Sequence, residues 1–323
     1  MGNEIKVTNY APIAIFAYNR ADRLSALIHS LEKNDNTEEI DLYIFVDIPD
    51  KRSKKDRIYN SEVLQFVEYY KKQNVRFRKV IVEVAQKHKG LANAIIFGVS
   101  KVVNEYGKVI VLEDDLEVSN DFLDYMQRGL EFYQNDERVN SLAGYCPEIK
   151  HCFPYKKDIF LVPRAESWGW GTWKERWNRT DWEVKSYVKF QKDIIGQLLF
   201  NLGGSDLCKM LKDQMADESY NSWAIRWCYQ QFRERKYTVY PIESRVIHCG
   251  NDNRSTHCQG WNSTQKLKQN YKKCQFEHVN PNLRMIWKFR RATNIENKNS
   301  MEKNVVKSKV LRRVNDIWKC WSK

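Results

Sequence analysis

Short apolar runs set between helical periods mark the first half of the chain. Residues 12–18 (PIAIFAY), 42–46 (LYIFV), 80–84 (VIVEV) and 109–112 (VIVL) are continuous and rich in Val and Ile. Runs of this kind predict strands buried on both faces. Between them, apolar residues recur at three- and four-residue steps: Leu24, Leu27, Ile28 and Leu31; Val63, Leu64, Val67 and Tyr70; Leu91, Ala94, Ile95 and Val99. That spacing predicts one amphipathic helix in each interval. Strand and helix in alternation predict an α/β fold, a mainly parallel sheet flanked by helices on both faces.

After about residue 140 the pattern loosens into an aromatic-rich segment, with short strands expected at 159–162 (IFLV) and 237–242 (YTVYPI) and a helix around 223–235. No internal repeat and no Pro- or Gly-rich linker divides it, so residues 1–260 read as one domain. Residues 261–323 differ in charge. They hold 16 of the 54 Lys and Arg but 4 of the 41 Asp and Glu, which leaves 38 against 37 for the rest. The excess of +13 thus sits almost wholly in a basic, helical extension. Val306, Val310, Val314, Ile317, Trp318 and Trp321 fall on one helical face of it. A basic helix with large aromatics on one side suits an anionic membrane surface better than nucleic acid, and no nucleic-acid partner is expected. No run of eighteen apolar residues occurs, and the first ten residues lack a hydrophobic signal core. The expected location is cytoplasmic, peripheral on the inner face of the cell membrane through the tail. Eight cysteines without a C-x-x-C pair and six histidines without H-E-x-x-H spacing argue against zinc sites and disulfide scaffolds.

The candidate chemistry lies at the strand ends. VIVL runs directly into Glu113, Asp114 and Asp115, then an apolar rhythm of Phe122, Met126, Leu130 and Tyr133 resumes behind Ser119 as expected N-cap. Ligands in such sheets sit beyond the carboxyl ends of strands, so Asp47, after the second strand, and the acidic triplet would share one crevice. Carboxylate oxygens suit Mg²⁺ and Mn²⁺, which complete their shells with water and substrate phosphates. Extended-chain alternation would point Glu113 and Asp115 one way and Asp114 the other. No G-x-G-x-x-G follows the first strand and no P-loop is present, so a dinucleotide dehydrogenase and a P-loop NTPase have no support.

The segment VIVLEDDLEVSNDFLDYM resembles the metal-binding segment of GT-A fold nucleotide-sugar glycosyltransferases, and most closely that of N-acetylglucosaminyltransferase I. FAYNR and KGLANA resemble that family's nucleotide-contacting segments in the same order, and SWGWGTWKERW, its Gly-Trp loop, together with SWAIRW and DNRSTHC resembles more specifically a group of bacterial sugar transferases, over roughly residues 12–260 in all. The resemblance implies a GT-A (Rossmann-like) mixed, mainly parallel sheet. It also implies Mn²⁺ (or Mg²⁺) held by Asp115, with Glu113 and Asp114 facing the sugar nucleotide. Asp47 is implied to recognise uracil and Arg20 to touch base or ribose, while Lys89, Gly90 and Asn93 close over the nucleotide. Trp168 and Trp170 wall the donor and acceptor pocket, and His257 lies on the diphosphate or metal side.

One departure stands out. The related enzyme places an aspartate just ahead of the tryptophan corresponding to Trp223, where this chain has Asn221 and Ser222, neither of them a base. Asp217, and after it Glu218, are the carboxylates that a shifted loop would present. The expected activity is metal-dependent transfer of a sugar from a nucleoside diphosphate sugar, UDP-linked by the Asp47 match, to a glycan or lipid-linked acceptor in bacterial surface polysaccharide synthesis, with inversion. A metal-dependent nucleotidyltransferase on a similar sheet is the alternative enzyme class, although AYNRADR lacks the glycine-rich phosphate loop; a nucleic-acid binder acting through the tail is the non-enzymatic one.

Overall fold

The computed structural model describes residues 5–50, 53–149, 155–217, 220–249, 266–268 and 270–295. Strand and helix alternate as the sequence predicts through β1 (Ile13–Ala17), α1 (Ala21–Leu31), β2 (Asp41–Val46), α2 (Lys54–Gln73), β3 (Lys79–Val84), α3 (Leu91–Tyr106) and β4 (Lys108–Glu113). After an acidic turn come β5 (Leu116–Val118), α4 (Phe122–Tyr133) and β6 (Val139–Ala143). The aromatic-rich segment gives β7 (Ile159–Val162), β8 (Trp170–Trp173), α5 (Lys174–Asn178), α6 (Tyr187–Phe190), α7 (Ile194–Phe200), α8 (Leu207–Ala216), α9 (Trp223–Arg233), β9 (Tyr237–Pro241) and β10 (Val246–His248), and α10 (Leu283–Ile295) follows.

Eight strands form one sheet in the order β3-β2-β1-β4-β8-β6-β9-β7. The first four are parallel, β8 runs antiparallel to both its neighbours, β6 and β9 are parallel, and β7 closes the far edge antiparallel. This is the mixed sheet flanked by helices that was expected. Alternation along each strand divides the core in two. Ile13, Ile15, Leu42, Ile44, Ile110 and Leu112 pack under α1, α2 and α4. Ala14, Phe16, Tyr43, Phe45, Val109 and Val111 face α3 and α9 and a tryptophan cluster. Burial on both faces holds for β1, β2 and β4 but not for β3, which has only one strand neighbour and buries only Val80. On α3 the buried stripe is Ala92, Ile95, Gly98, Val99, Val102 and Val103, and Leu91, the first residue of the helix, is exposed. Ser119 does not cap α4; the N-cap is Asp121, and the Ser119 hydroxyl donates to its carboxylate at 2.6 Å.

The chain beyond β10 returns to the body. Cys274, Phe276 and Val279 are buried, Arg128 donates to the Cys274 carbonyl at 2.9 Å, and the Tyr133 hydroxyl donates to the Glu277 carbonyl at 2.6 Å. Met285 and Phe289 of α10 pack with Phe160 and Tyr240. The amphipathic face expected at Val306 to Trp321 lies outside the described residues. Among those that are described, no helix is long and apolar enough to cross a membrane.

Candidate active site

β4 ends at Glu113, and the chain turns at Asp114 and Asp115 before β5 begins. The turn corrects one expectation. Asp114 and Asp115 do not point to opposite faces, because strand alternation stops at Glu113. Both carboxylates converge on one guanidinium: Arg20 Nη2 lies 2.5 Å from Asp114 Oδ1 and 3.0 Å from Asp115 Oδ2. Arg20 is the N-cap residue of α1, directly above the end of β1, and the Tyr18 amide donates to Asp114 Oδ2 at 3.3 Å.

A second cation-capable group arrives from the far end of the chain. β10 pairs antiparallel with β5, setting His248 opposite Leu116, and the Cys249 amide donates to the Asp115 carbonyl at 2.7 Å. His248 Nε2 is thereby held 3.1 Å from Asp115 Oδ2. Its ring stacks on Trp168, with centroids 4.7 Å apart and planes at 21°, and Trp168 meets Tyr145 edge-on at 4.8 Å. The Trp168 loop is fixed on two sides. Gly169 adopts φ +66°, and a Cβ there would stand 2.7 Å from Val246 Cγ2, so any side chain would strain the backbone and press on Val246. Glu166 Oε1 accepts from the Ser167 and Trp168 amides at 2.9 and 3.1 Å, and Oε2 accepts from the Tyr240 hydroxyl at 3.3 Å.

Burial and mutual repulsion shape the charges. Burial, followed by the Asp115 and Asp114 charges, pushes the Glu113 carboxyl up to about 8. Burial also raises Asp114, against the opposing Arg20 charge. Burial would raise Asp115 too, but the hydrogen bond from His248 and the charge of Arg20 overcome it and hold this carboxyl below its usual range. Asp115 is therefore the most firmly ionised of the three. Burial lifts Glu166 above the ordinary range despite the two amides it accepts from.

Asp47 sits two strands away at the same sheet edge, where its amide donates to the Ala17 carbonyl at 3.0 Å. Its carboxylate accepts from the amides of Ile48 at 3.0 Å, Lys89 at 3.0 and 3.2 Å, and Gly90 at 2.8 Å, and His88 Nδ1 lies 3.1 Å from Oδ2. Asn60 ties the edge together by donating to the carbonyls of Tyr18 and Asp47. Gly90 takes φ +72° as N-cap of α3, Lys89 lies over the Phe97 ring, and Asn93 donates to the Lys89 carbonyl at 2.9 Å. In this structure Asp47 thus pins the 88–90 loop that was expected to close over a nucleotide.

The remaining expected residues divide. Trp170 is fully buried, with the rings of Trp223, Trp177 and Trp227 at 5.0, 5.5 and 6.2 Å, so it is a packing residue and does not line the crevice. Asn221 accepts from Arg226 at 2.6 Å and Ser222 caps α9 by accepting from the Ile225 amide, which explains the residue types at those positions structurally. Asp217 is exposed at the carboxyl end of α8. Glu218 and His257 lie outside the described residues. Sequence reasoning named His257 and passed over His248. The available signal was the short run Val246-Ile247-His248, whose alternation sets Val246 and His248 on one buried face. Glu166 gave no signal, because its partners are backbone amides and a tyrosine 74 residues away.

Among the described residues no group of three or more His, Cys, Asp or Glu is placed to hold a metal ion. The pair Asp115 and His248 still fits a hard divalent cation of the Mn²⁺ kind, since carboxylate oxygen and imidazole nitrogen converge there and such ions take few protein ligands when phosphates supply the rest.

The chain is 20% identical over 261 residues to an alpha-1,3-mannosyl-glycoprotein 2-beta-N-acetylglucosaminyltransferase of Arabidopsis thaliana, over 71% of this chain and 56% of that protein. It therefore spans little more than half the length of that relative. Similar solved structures include S. aureus TarS 1-349 (TM-score 0.40, 12% identity, 74% of this chain and 60% of that one). GalNAc-T7 with UDP, GalNAc and Mn²⁺ is another (TM-score 0.46, 13% identity, 74% and 43%). Residues 3–153, just under half of the chain and the part that holds β1 to β6 with the acidic turn between them, match the GNT-I family.

Proposed function

We propose that this protein is a metal-dependent glycosyltransferase that moves a sugar from a nucleoside diphosphate sugar, UDP-linked, to a hydroxyl of a glycan or lipid-linked acceptor in bacterial surface polysaccharide synthesis. The observation that carries the reading is the meeting of Asp115, His248 and Arg20 at the carboxyl edge of parallel strands. Asp47 lies two strand spacings along the same edge, roughly 10 Å. The match to the GNT-I family and the activity named for the A. thaliana relative support it.

Asp115 and His248 would hold the cation, which, when bound, neutralises charge on a departing diphosphate. Arg20, mostly buried, supplies a fixed positive charge that offsets the two aspartates before any ligand enters and is available to phosphate oxygens afterwards. Glu113, its carboxyl raised by burial and by the Asp115 and Asp114 charges, offers a hydrogen bond to a sugar hydroxyl. Trp168, stacked on His248, presents an apolar face to the sugar ring. For an inverting displacement the acceptor hydroxyl needs a base, and Asp217, exposed just ahead of α9, is our assignment, with Glu218 beside it. Residues 1–260 are assigned as the catalytic unit, with Cys274 to Phe289 of the 261–323 extension packed on its body, and the basic amphipathic stretch from Val306 to Trp321 as the part that meets an anionic membrane surface.

Thermal melting and donor turnover test the proposal together. Mn²⁺ with a uridine nucleotide is expected to raise the melting temperature, and Asp115→Ala to abolish the rise. Asp217→Asn is expected to leave that rise intact while removing transfer. Absence of any shift with divalent metals and a panel of nucleotide sugars would overturn the assignment.

A further inference from the structure

Two cation-capable groups share one oxygen in the candidate site. Asp115 Oδ2 has Arg20 Nη2 at 3.0 Å and His248 Nε2 at 3.1 Å, and the same Nη2 reaches Asp114 Oδ1 at 2.5 Å. A guanidinium Nη carries two hydrogens, so this one nitrogen gives one to each carboxylate. It bridges the two aspartates as a metal ion does, from the oxygen that Asp115 and His248 would offer to a cation.

The side chains of Arg20, Asp114 and Asp115 are 14%, 4% and 11% exposed, so these charges act on one another in a poorly solvated setting. Asp114 and Asp115 face the guanidinium with Glu113 beside them, and Arg20 cancels one of the negative charges that would draw a cation in. A divalent ion taking Asp115 Oδ2 would meet a like charge already on that oxygen. Arg20 and the ion therefore exclude one another there. The two ends of the bridge differ. Asp114 also accepts from the Tyr18 amide at 3.3 Å, whereas Asp115 has His248, an imidazole able to ligate a metal through Nε2. Releasing Asp115 alone would leave Arg20 tied to Asp114 and would free one N–H of a fork that suits phosphate oxygens.

We propose that Arg20 is a built-in stand-in for the cation, holding Asp115 until a diphosphate draws the guanidinium off, so that the metal ion and the nucleoside diphosphate enter the site together. Metal alone then binds poorly, and a nucleoside without phosphate does not help it. Coupling of this kind is reciprocal, so the ion favours the nucleotide by the same factor. The inference rests on the transfer reading for its ligands and adds how the site admits them.

Titration of the full chain with Mn²⁺, followed by the paramagnetic resonance signal of the free ion and by thermal melting, tests it. In the unaltered chain UDP should tighten Mn²⁺ at least about tenfold, corrected for the ion that UDP itself takes up, and uridine should leave it unchanged. Arg20→Gln should bind Mn²⁺ without nucleotide at least about tenfold more tightly than the unaltered chain. It should also melt lower in metal-free buffer, because two buried carboxylates lose a charge partner, and Mn²⁺ alone should restore the loss. Arg20→Lys keeps the charge and should bind Mn²⁺ alone more weakly than Arg20→Gln. An Arg20→Gln protein that binds Mn²⁺ alone no more tightly than the unaltered chain, or Arg20→Lys binding it as tightly as Arg20→Gln, would overturn the proposal. Tightening by uridine in the unaltered chain would overturn it as well, a measurement that needs no variant to fold. If Mn²⁺ binds with UDP and Asp115→Ala abolishes it while Arg20→Gln gains nothing, this inference fails and the transfer reading stands. No binding of Mn²⁺ with or without UDP overturns both.

Discussion

His248 Nε2 and Asp115 Oδ2 meet at 3.1 Å across 133 residues of sequence. The short β5–β10 ladder fixes that meeting, and it leaves an imidazole and a carboxylate sharing the position where a cation would lie. His248→Ala should weaken Mn²⁺ binding in the presence of UDP at least about tenfold. The electron paramagnetic resonance signal of free Mn²⁺ during titration reports it directly. An unchanged titration would remove His248 from the cation site and leave Asp115 as the sole ligand.

Glu166 acts one step further back. Its carboxylate holds the Ser167 and Trp168 amides, and Trp168 in turn holds the plane of His248. Glu166→Ala leaves two half-buried amides without their acceptor, a loss of about 1–3 kcal/mol in urea unfolding. Glu166→Gln keeps an acceptor oxygen at the same reach and should recover most of that loss. The alanine variant should also bind Mn²⁺ more weakly, and the glutamine variant should restore it, a pattern that a purely structural role would not produce.

What could be read in advance follows from how local each signal is. β1, β2, β4 and the buried face of α4 were legible because burial on both faces, or on one helical stripe, leaves its period in consecutive residues. β8 was not, since Trp170-Gly171-Thr172-Trp173 resembles a loop until it is inserted between β4 and β6. The acidic triplet and Asp47 could be marked as candidates from strand ends alone, and Asp115 is singled out among the three only by resemblance. The surroundings of the triplet could not be read, because Arg20 reaches both aspartates only after the strand yields to a turn, and His248 arrives only through pairing with β5. Trp170 was misplaced for a related reason. A Gly-Trp sequence looks the same whether its rings face a ligand or three other tryptophans.

Asp47 gives a test of the loop that it holds. The amides of Ile48, Lys89 and Gly90 all point at its carboxylate. Asp47→Ala should cost about 2 kcal/mol of stability, because charge-assisted hydrogen bonds to backbone are lost together. Gly90→Ala should cost about 1–3 kcal/mol for a different reason, a φ of 72° with ψ of 157° that side chains rarely adopt, with open space around the added methyl group. Hydrogen exchange at residues 88–90 should quicken in Asp47→Ala. Protection that stays unchanged would mean that the loop is held by other contacts.

Asp136 provides the pH dependence. Burial would raise its carboxyl, but hydrogen bonds from the side chain and amide of Arg138 and from His278 bring it down to about 2. A depressed folded-state pKa contributes stability that is fully present above the unfolded value of about 3.9 and is lost as pH falls from there through about 2. The full shift corresponds to about 2.5 kcal/mol, and the exposure of Arg138 and His278 reduces it to about 1–2 kcal/mol. His278 belongs to the segment that returns to the body after β10, so the same interaction ties that segment to the turn before β6. The stability difference between the unaltered chain and Asp136→Asn, from urea unfolding at pH 5, 4, 3 and 2, should therefore shrink toward zero at the acid end. A difference that stays constant over this window would show that the carboxylate is not the group holding His278 and Arg138.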